Sequence, residues 1–212
     1  MSEQPADNRS LILGAVLNLL AGQGPKGVTL RNVAKQAGVS LGLVRYHYQT
    51  RSELFRATLD WVLEQITEMR NSLPVPKNPQ EALADFFLFQ EKLLLERPDL
   101  LTAWFGFVTL GRTDRWVAAR VQEHYLNAVE TARNFIKETM NSGAKRPDLR
   151  PGLTAEDLVA SVEGMGLLWL NRADRKGIAA HRSRAVKRWS TVLGLGAKGP
   201  KSSDRGQRSE KS

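Results

Sequence analysis

Bulky side chains with hydrogen-bond donors are concentrated in one short stretch, SLGLVRYHYQTR, at residues 40–51. Arg45 and Arg51 carry guanidinium groups, which donate readily to phosphate oxygens and to the acceptor edge of guanine. Tyr46 and His47 add a hydroxyl and an imidazole that can also donate to phosphate. Because a buried helix seldom contains so many bulky polar groups, this stretch is predicted to face a partner surface.

The residues that most often carry enzymatic chemistry are scarce. The chain has no Cys, which excludes a thiolate nucleophile, a disulfide and a Cys-based zinc site. Its three His residues are scattered, and it has no glycine-rich phosphate-binding motif. Adjacent carboxylates such as Glu156 and Asp157 point to different faces of a helix. An enzyme is therefore the disfavoured alternative, and we predict no catalytic residue, no metal ligand and no cofactor.

Two short helices joined by a tight turn are predicted to hold this stretch. Thr29 stands where an N-cap belongs, with its hydroxyl accepting a backbone N–H of the following helix. Gly38 then supplies a left-handed turn, and Ser40 caps a second helix that runs to about Tyr48. This pattern over about 29–48 indicates a helix-turn-helix motif, whose second helix enters the major groove of DNA. An ordinary pair of packed helices is the alternative.

Helical periodicity divides the motif into an inward and an outward side. Six residues are predicted to lock its helices together: Val33, Ala34, Val39, Val44, Tyr48 and Leu54. The outward side of the second helix carries Leu41, Leu43, Arg45 and Tyr46. An outward Leu can contact a thymine methyl group, while Gly42 leaves room for the backbone to approach DNA closely. The residues predicted to hold phosphate oxygens are Thr29, Tyr46, His47 and Arg51.

The rest of the chain is also helical in its periodicity, and no segment shows sustained strand alternation. Nine helices are predicted, near 11–20, 30–37, 40–48, 52–72, 80–96, 99–110, 113–141, 154–172 and 178–194. Three prolines within LPVPKNP, at residues 73–79, interrupt the chain after the fourth helix. They mark the best boundary between a small head and a larger body.

The run TLRNVAKQAGVSLGLVRYHYQTRSELF closely resembles the DNA-binding domain of the tetracycline-repressor (TetR) family of bacterial transcription regulators. That family has a Thr-led helix, then Ala-Gly-Val-Ser-x-Gly, an aromatic-His-aromatic cluster and a Lys-Glu start to the next helix. Arg45 stands where the family most often has an aromatic, and Arg51 where it has Lys, with Glu53 one position late. Both arginines keep or add positive charge, so they bear on base preference more than on binding.

The resemblance implies an all-α protein with an N-terminal three-helix helix-turn-helix DNA-binding domain at 8–68. A helical ligand-binding and dimerisation domain at 75–195 would follow. The resemblance implies DNA-binding residues Thr29, Arg31, Ser40, Leu41, Gly42, Leu43, Arg45, Tyr46, His47 and Arg51. It also implies a transcription regulator, most simply a repressor that a small-molecule effector releases from a palindromic double-stranded DNA operator. An activator and a ligand-independent architectural DNA-binding protein are the alternatives.

A homodimer is expected on physical grounds too, because one short recognition helix reads few base pairs. The segment LVASVEGMGLLWL lies in the predicted helix at 154–172. Its small residues, which permit close helix approach, are Ala160, Ser161, Gly164 and Gly166. Beside them are the larger apolar residues Leu158, Val162, Met165 and Trp169. This helix and the next are predicted to form a four-helix dimer interface. Internal packing is the alternative.

A ligand pocket is predicted from aromatic density and from polar residues on apolar stripes. Gln90, His124 and Glu163 each fall among apolar neighbours at helical spacing, and Glu163 could favour a cation. The predicted pocket residues are Phe86, Phe87, Gln90, Trp104, Phe105, Trp116, His124 and Glu163. For each polar residue an ordinary structural role, such as a core amide, a core histidine or an interface ion pair, is the alternative.

The net charge of +9 is unevenly distributed along the chain. Residues 1–58 hold 7 basic and 3 acidic residues, 59–170 hold 12 and 16, and 171–212 hold 12 and 3. Residues 196–212 are predicted to be a disordered basic tail that either attracts DNA non-specifically or only solubilises the protein. No apolar run is long enough for a membrane span, so a cytoplasmic, nucleoid-associated protein without membrane contact is expected.

Overall fold

A computed structural model describes residues 8–141, 150–172 and 174–195, and every regular element in these ranges is an α-helix. The helices are α1 (Asn8–Gly27), α2 (Leu30–Ala37), α3 (Leu41–His47), α4 (Arg51–Asn71), α5 (Pro79–Glu96), α6 (Pro98–Leu110), α7 (Arg115–Asn141), α8 (Pro151–Leu170) and α9 (Ile178–Leu193). The nine predicted helices and the all-α class are thereby confirmed. The predicted tail at 196–212 lies outside the described residues. No helix in the described ranges is long and apolar enough to cross a membrane.

The first helix bends where the sequence GQGPKG predicts its end. Gly24 has a φ of 66°, a left-handed conformation that favours glycine. Pro25 follows and opens one more turn, since its fixed φ suits the start of a helix and its missing N–H needs no partner there. The helical path therefore continues to Gly27, but in a new direction.

The head is built from α1, α2, α3 and the first turns of α4 around one small core. Five of the six predicted locking residues are buried, namely Val33, Ala34, Val44, Tyr48 and Leu54. Val39 is half-buried, because it lies in the turn between α2 and α3. The apolar stripe of α1 completes this core with Ile12 and Val16, both fully buried.

Helix α4 belongs to both parts of the molecule. Its first turn follows the helix-turn-helix motif, while its later residues Val62 and Ile66 are buried against the body. Both α1 and α4 pack on α6, where the rings of Phe55 and Phe107 meet edge to face with centroids 6.2 Å apart. The head is therefore docked on the body although three prolines separate α4 from α5 in the sequence.

The body is a helical bundle in which α5 packs against α6, α8 and α9. The largest helix-to-helix contact in the bundle joins α7 to α8. Helices α5 and α7 each contact α4 on one side and α8 on another. This arrangement leaves a space between α4, α5, α7 and α8.

Candidate nucleic-acid interface and ligand cavity

Side-chain caps and one glycine set the geometry of α2 and α3. The Thr29 hydroxyl accepts the Asn32 backbone N–H at 3.1 Å, which satisfies an otherwise unpaired donor at the start of α2. Gly38 ends this helix with a left-handed φ of 69°. The Ser40 hydroxyl then accepts the Leu43 N–H at 3.0 Å and starts α3. Both predicted caps and the predicted glycine turn are confirmed.

The outward face of α3 presents a line of exposed residues. Tyr46 is 82% exposed, and its ring meets the His47 ring edge to face, with centroids 5.2 Å apart. Gly42 and Arg45 are also exposed. A Cβ added at Gly42 would meet no atom closer than the Ser40 hydroxyl at 3.7 Å, so this side of α3 is open. The face can accept a large, flat partner.

The other residues of the predicted DNA-binding set have mixed environments. Thr29 and Arg31 are exposed at the start of α2, beside the face of α3. Leu41 is half-buried and packs partly against the head core, so its outward surface is smaller than the sequence suggests. Leu43 is half-buried as well. The base contacts therefore stay predictions, and Gly42, Arg45 and Tyr46 are among the exposed members of the predicted set on α3.

Arg51 has structural partners that the sequence does not reveal. Its Nε donates to the Val28 carbonyl at 2.8 Å, and its Nη2 donates to the Pro25 carbonyl. The guanidinium also lies 4.8 Å from the centroid of the Phe55 ring. Arg51 therefore ties the first turn of α4 to the bend before α2. Any phosphate contact would have to use its remaining N–H groups.

A cavity of about 420 Å³ lies in the space between α4, α5, α7 and α8. Four of the eight predicted pocket residues line it, namely Phe86, Gln90, His124 and Glu163. Trp104 stands behind the wall, where its Nε1 donates to the Glu163 carboxylate at 3.3 Å. This volume is within the usual range for small-molecule sites.

The other three predicted residues lie elsewhere. Phe87 is fully buried and faces α8 and α9, whereas the adjacent Phe86 is on the side of α5 that faces the cavity. Trp116 lies beneath the guanidinium of Arg56, 5.3 Å from the ring centroid, near the junction with the head. Phe105 is half-buried outside the cavity wall. Aromatic density alone does not distinguish cavity walls from core.

Burial perturbs the titratable groups around the cavity. Desolvation raises the pKa of Glu163, and the hydrogen bond from Trp104 opposes part of that rise. Desolvation lowers the pKa of His124, and the nearby charge of Arg120 lowers it further. The His124 ring lies 4.5 Å from the Trp104 ring, centroid to centroid. Burial, with the charge of Glu163, raises the pKa of Tyr125 to about 12.

Arg70 also lines the cavity, and sequence reasoning missed it. Its guanidinium lies over the rings of Phe86 and Phe89, at 5.7 and 5.6 Å from their centroids, and donates to the Asp85 carbonyl at 3.3 Å. Desolvation lowers the pKa of Arg70, while the charge of Asp85 opposes this. Its spacing of four residues after the buried Ile66 was the signal that could have revealed it.

Helix α8 divides the residues of the predicted dimer interface. Leu158, Met165 and Trp169 are buried within the protomer, and Val162 lines the cavity. Gly166 is also internal, because a Cβ there would lie 1.8 Å from Nε2 of Gln90. The exposed face holds Ala160, Ser161 and Gly164, together with Leu167 and Leu168, which are 54% and 50% exposed. An interface at α8 would thus use this second set and not the first.

Among the described residues, no three His, Asp or Glu side chains come together in a way that could hold a metal ion. The only charged pair that joins α5 to α9 in that part of the chain is Glu91 with Arg182. Some charged side chains of the body therefore form ion pairs between helices, and others line the cavity.

Comparison with known proteins agrees with a helix-turn-helix head at the N-terminal end of the described residues. A family model described as bacterial regulatory proteins, tetR family, matches residues 12–58. The HTH-type transcriptional regulator PksA of Bacillus subtilis (strain 168) is 26% identical over 160 residues, or 75% of this chain and 77% of that protein.

Two solved structures share the fold with bound small molecules. A regulator from Saccharomonospora viridis in complex with choline is 18% identical, with a TM-score of 0.69 over 86% of this chain and 95% of that one. FadR from Bacillus subtilis in complex with stearoyl-CoA is 16% identical, with a TM-score of 0.70 over 87% of this chain and 97% of that one. Such identities establish the fold and leave each ligand a property of that protein.

Proposed function

Because this chain belongs to the tetR family of bacterial transcription regulators and is a DNA-binding regulator, we propose that it acts as a homodimeric repressor. A small-molecule effector would release it from a palindromic operator. The observation that carries this proposal is the path of α4, which starts beside the helix-turn-helix motif and ends with Arg70 in the cavity wall. One rigid helix thus joins the DNA-facing head to the ligand cavity.

The outward face of α3 is the proposed reading surface for DNA. Gly42 and Tyr46 would lie deepest in the major groove, with Arg45 placed to donate to guanine or to phosphate. Thr29, Arg31 and His47 would hold phosphates at the edges of the groove, with Leu41 and Leu43 near base methyl groups. Ser40 would act mainly through its cap.

Dimerisation is proposed to use the exposed face of α8 together with α9. A ridge of Ala160, Ser161 and Gly164 lets a partner helix approach closely, and the exposed Leu167 and Leu168 supply apolar area. Exposed leucines on one helix face commonly mark an interface. Two heads on a two-fold axis would read half-sites about one DNA turn, roughly 34 Å, apart.

Effector binding is proposed to act on the heads through two routes that meet in the body. A ligand in the cavity contacts α4 directly at Ile66 and Arg70. It also contacts Glu163, whose partner Trp104 lies on α6 three residues before Phe107, and Phe107 packs on Phe55 of α4. A shift of either helix would tilt the heads away from successive major grooves.

Other family-level expectations complete the proposal. We propose a DNA-binding domain at 8–68 and a ligand-binding and dimerisation domain at 75–195, in a protein without enzymatic activity that works on the nucleoid in the cytoplasm. The choline and stearoyl-CoA complexes of the two solved relatives support a small organic effector, without identifying it.

The test begins with selection of bound duplexes from a random pool by the full chain. A palindromic consensus is expected, and Arg45→Ala should weaken binding and alter preference at one position of each half-site, by about 1–3 kcal/mol. Arg112→Ala, an exposed arginine of the body, is the matched control and should leave affinity unchanged. A non-palindromic consensus, or an Arg45→Ala variant that binds like the wild type, would contradict the proposal.

A further inference from the structure

Two charged side chains of opposite sign line the effector cavity without pairing with each other. The Glu163 carboxylate accepts from Trp104 Nε1 and, among the described residues, has no cation within 4 Å. The Arg70 guanidinium donates to the carbonyl of Asp85 and, in the same part of the chain, has no carboxylate within 4 Å. Each charge is partly buried and has no ion pair within 4 Å, although the charge of Asp85 acts on Arg70 from a longer distance.

The helices that carry these charges hold them apart. Arg70 is on α4 and Glu163 is on α8, and α5 and α7 each contact both of these helices. A charge that is removed from water without a partner is unfavourable, and an opposite charge at short range offsets that cost. A molecule that spans the cavity would supply both missing partners at once.

A third polar group points to the same conclusion. Gln90 is only 3% exposed, lines the cavity, and its Nε2 has no hydrogen-bond partner in the described structure. Its amide fits against α8 because residue 166 is glycine. A buried donor without an acceptor usually costs free energy, so a ligand with an acceptor near Gln90 would be favoured.

Five larger apolar side chains line the same cavity, together with the polar Thr67, Asn127 and Thr131. The apolar ones are Ile66, Phe86, Phe89, Val159 and Val162. The rings of Phe86 and Phe89 favour a flat, apolar body over a flexible polar one. The ligand should therefore be charged at its ends and apolar between them.

We propose that the effector is an amphoteric organic molecule whose carboxylate pairs with Arg70 and whose protonated amine pairs with Glu163, on either side of a flat apolar body. This inference rests on the proposed function only in naming the molecule an effector, because the pairing is a property of the cavity itself. A purely cationic or purely anionic ligand would leave one of the two charges unpaired.

The test uses a matched set of compounds on one skeleton, titrated into the full chain by calorimetry without DNA. The bifunctional probe is biphenyl with a carboxylate at one end and an aminomethyl group at the other. Its controls are biphenyl carboxylic acid, biphenyl methylamine and biphenyl carboxamide. The same four compounds are prepared on benzene and on naphthalene, so that the distance between the charged ends varies while their chemistry does not.

We expect at least one bifunctional compound to bind about tenfold or more tightly than each of its single-function analogues. Arg70→Gln should reduce its affinity to that of the amine alone, and Glu163→Gln should reduce it to that of the acid alone. Arg112→Gln and Glu156→Gln are the matched controls, since both side chains line a different groove between α6, α7 and α8. Neither control should change the affinity.

Several results would overturn the inference. They are equal binding of a single-function analogue on every skeleton, no binding by any bifunctional compound, or equal loss for all compounds in both cavity variants. Circular dichroism of each variant confirms that it is folded before its affinity is interpreted. DNA release is measured separately, so a compound that binds as expected but leaves the operator complex intact refutes the repressor mechanism and not the charge pairing.

Discussion

Changing Gly42 to Ala should raise the stability of the protein and weaken its binding to DNA. Gly42 lies near the start of α3, where glycine is a poor helix former. The added methyl group would meet no protein atom closer than 3.7 Å, so it causes no internal clash. The two effects have opposite signs, which makes the substitution a sharp test of the outward face.

The expected gain in stability comes from helix propensity, and the expected loss of DNA affinity comes from overpacking of the contact with DNA. Replacing a helical glycine by alanine gains up to about 1 kcal/mol, which would raise Tm by roughly 2–4 °C in a chain of this size. If the backbone at Gly42 touches DNA, the methyl group overpacks that contact and costs about 1–3 kcal/mol. This corresponds to a rise in Kd of roughly fivefold to more than a hundredfold.

The measurements are thermal unfolding and fluorescence anisotropy with the selected operator at fixed salt. Gly106→Ala is the matched control, because Gly106 is a helical glycine of α6 with no atom within 4 Å of an added Cβ. It should gain similar stability with unchanged DNA affinity. A Gly42→Ala variant that is more stable and binds the operator as tightly as wild type would refute the placement of this face against DNA.

Three further substitutions probe the interface, the cavity and the head. Leu168→Glu should convert the proposed dimer to monomer in light scattering, whereas Leu126→Glu, on a leucine of α7 that is at least as exposed, should not. A dimer that survives the first change refutes the α8 interface. Burial raises the pKa of Glu163, so the folded state holds its proton more tightly and wild type should lose stability relative to Glu163→Gln as pH rises above the ordinary value of 4.5. Urea unfolding across pH checks this, and a gap that stays constant would exclude the burial argument. Arg51→Ala should cost about 1 kcal/mol and speed hydrogen exchange from the bend of α1 to the start of α2, because the carbonyls of Pro25 and Val28 each lose a hydrogen bond from Arg51. Unchanged exchange would count against this role of Arg51.

Features of the head that depend on near neighbours in the chain could be predicted from sequence. Thr29 and Ser40 each cap a helix through an N–H three residues away, and Gly38 ends a helix through its own φ. Such interactions need only the local order of residues. The outward position of Tyr46 follows in the same way from the period of α3 around buried Val44.

The cavity could be predicted only in part. Gln90 and Glu163 were recognised because a polar residue on an apolar stripe is conspicuous. Phe87 was misplaced because α5 is packed on more than one side, so its period shows that a residue is buried but not what it faces. Arg70 was missed because its partner rings lie on the next helix, beyond a break that periodicity does not cross.

The sequence by itself determined the helices, their caps, the glycine turn and the resemblance of the head to the tetR family, since each depends on residues close together in the chain. Only the tertiary structure decided which groups the long charged side chains bind. Arg51 reaches carbonyls 23 and 26 residues away, and the carboxylate of Glu163 meets an indole 59 residues away. The physical reason is that a long, flexible charged side chain binds the partner that lies within hydrogen-bond distance in the folded protein. Which partner that is depends on how the helices pack.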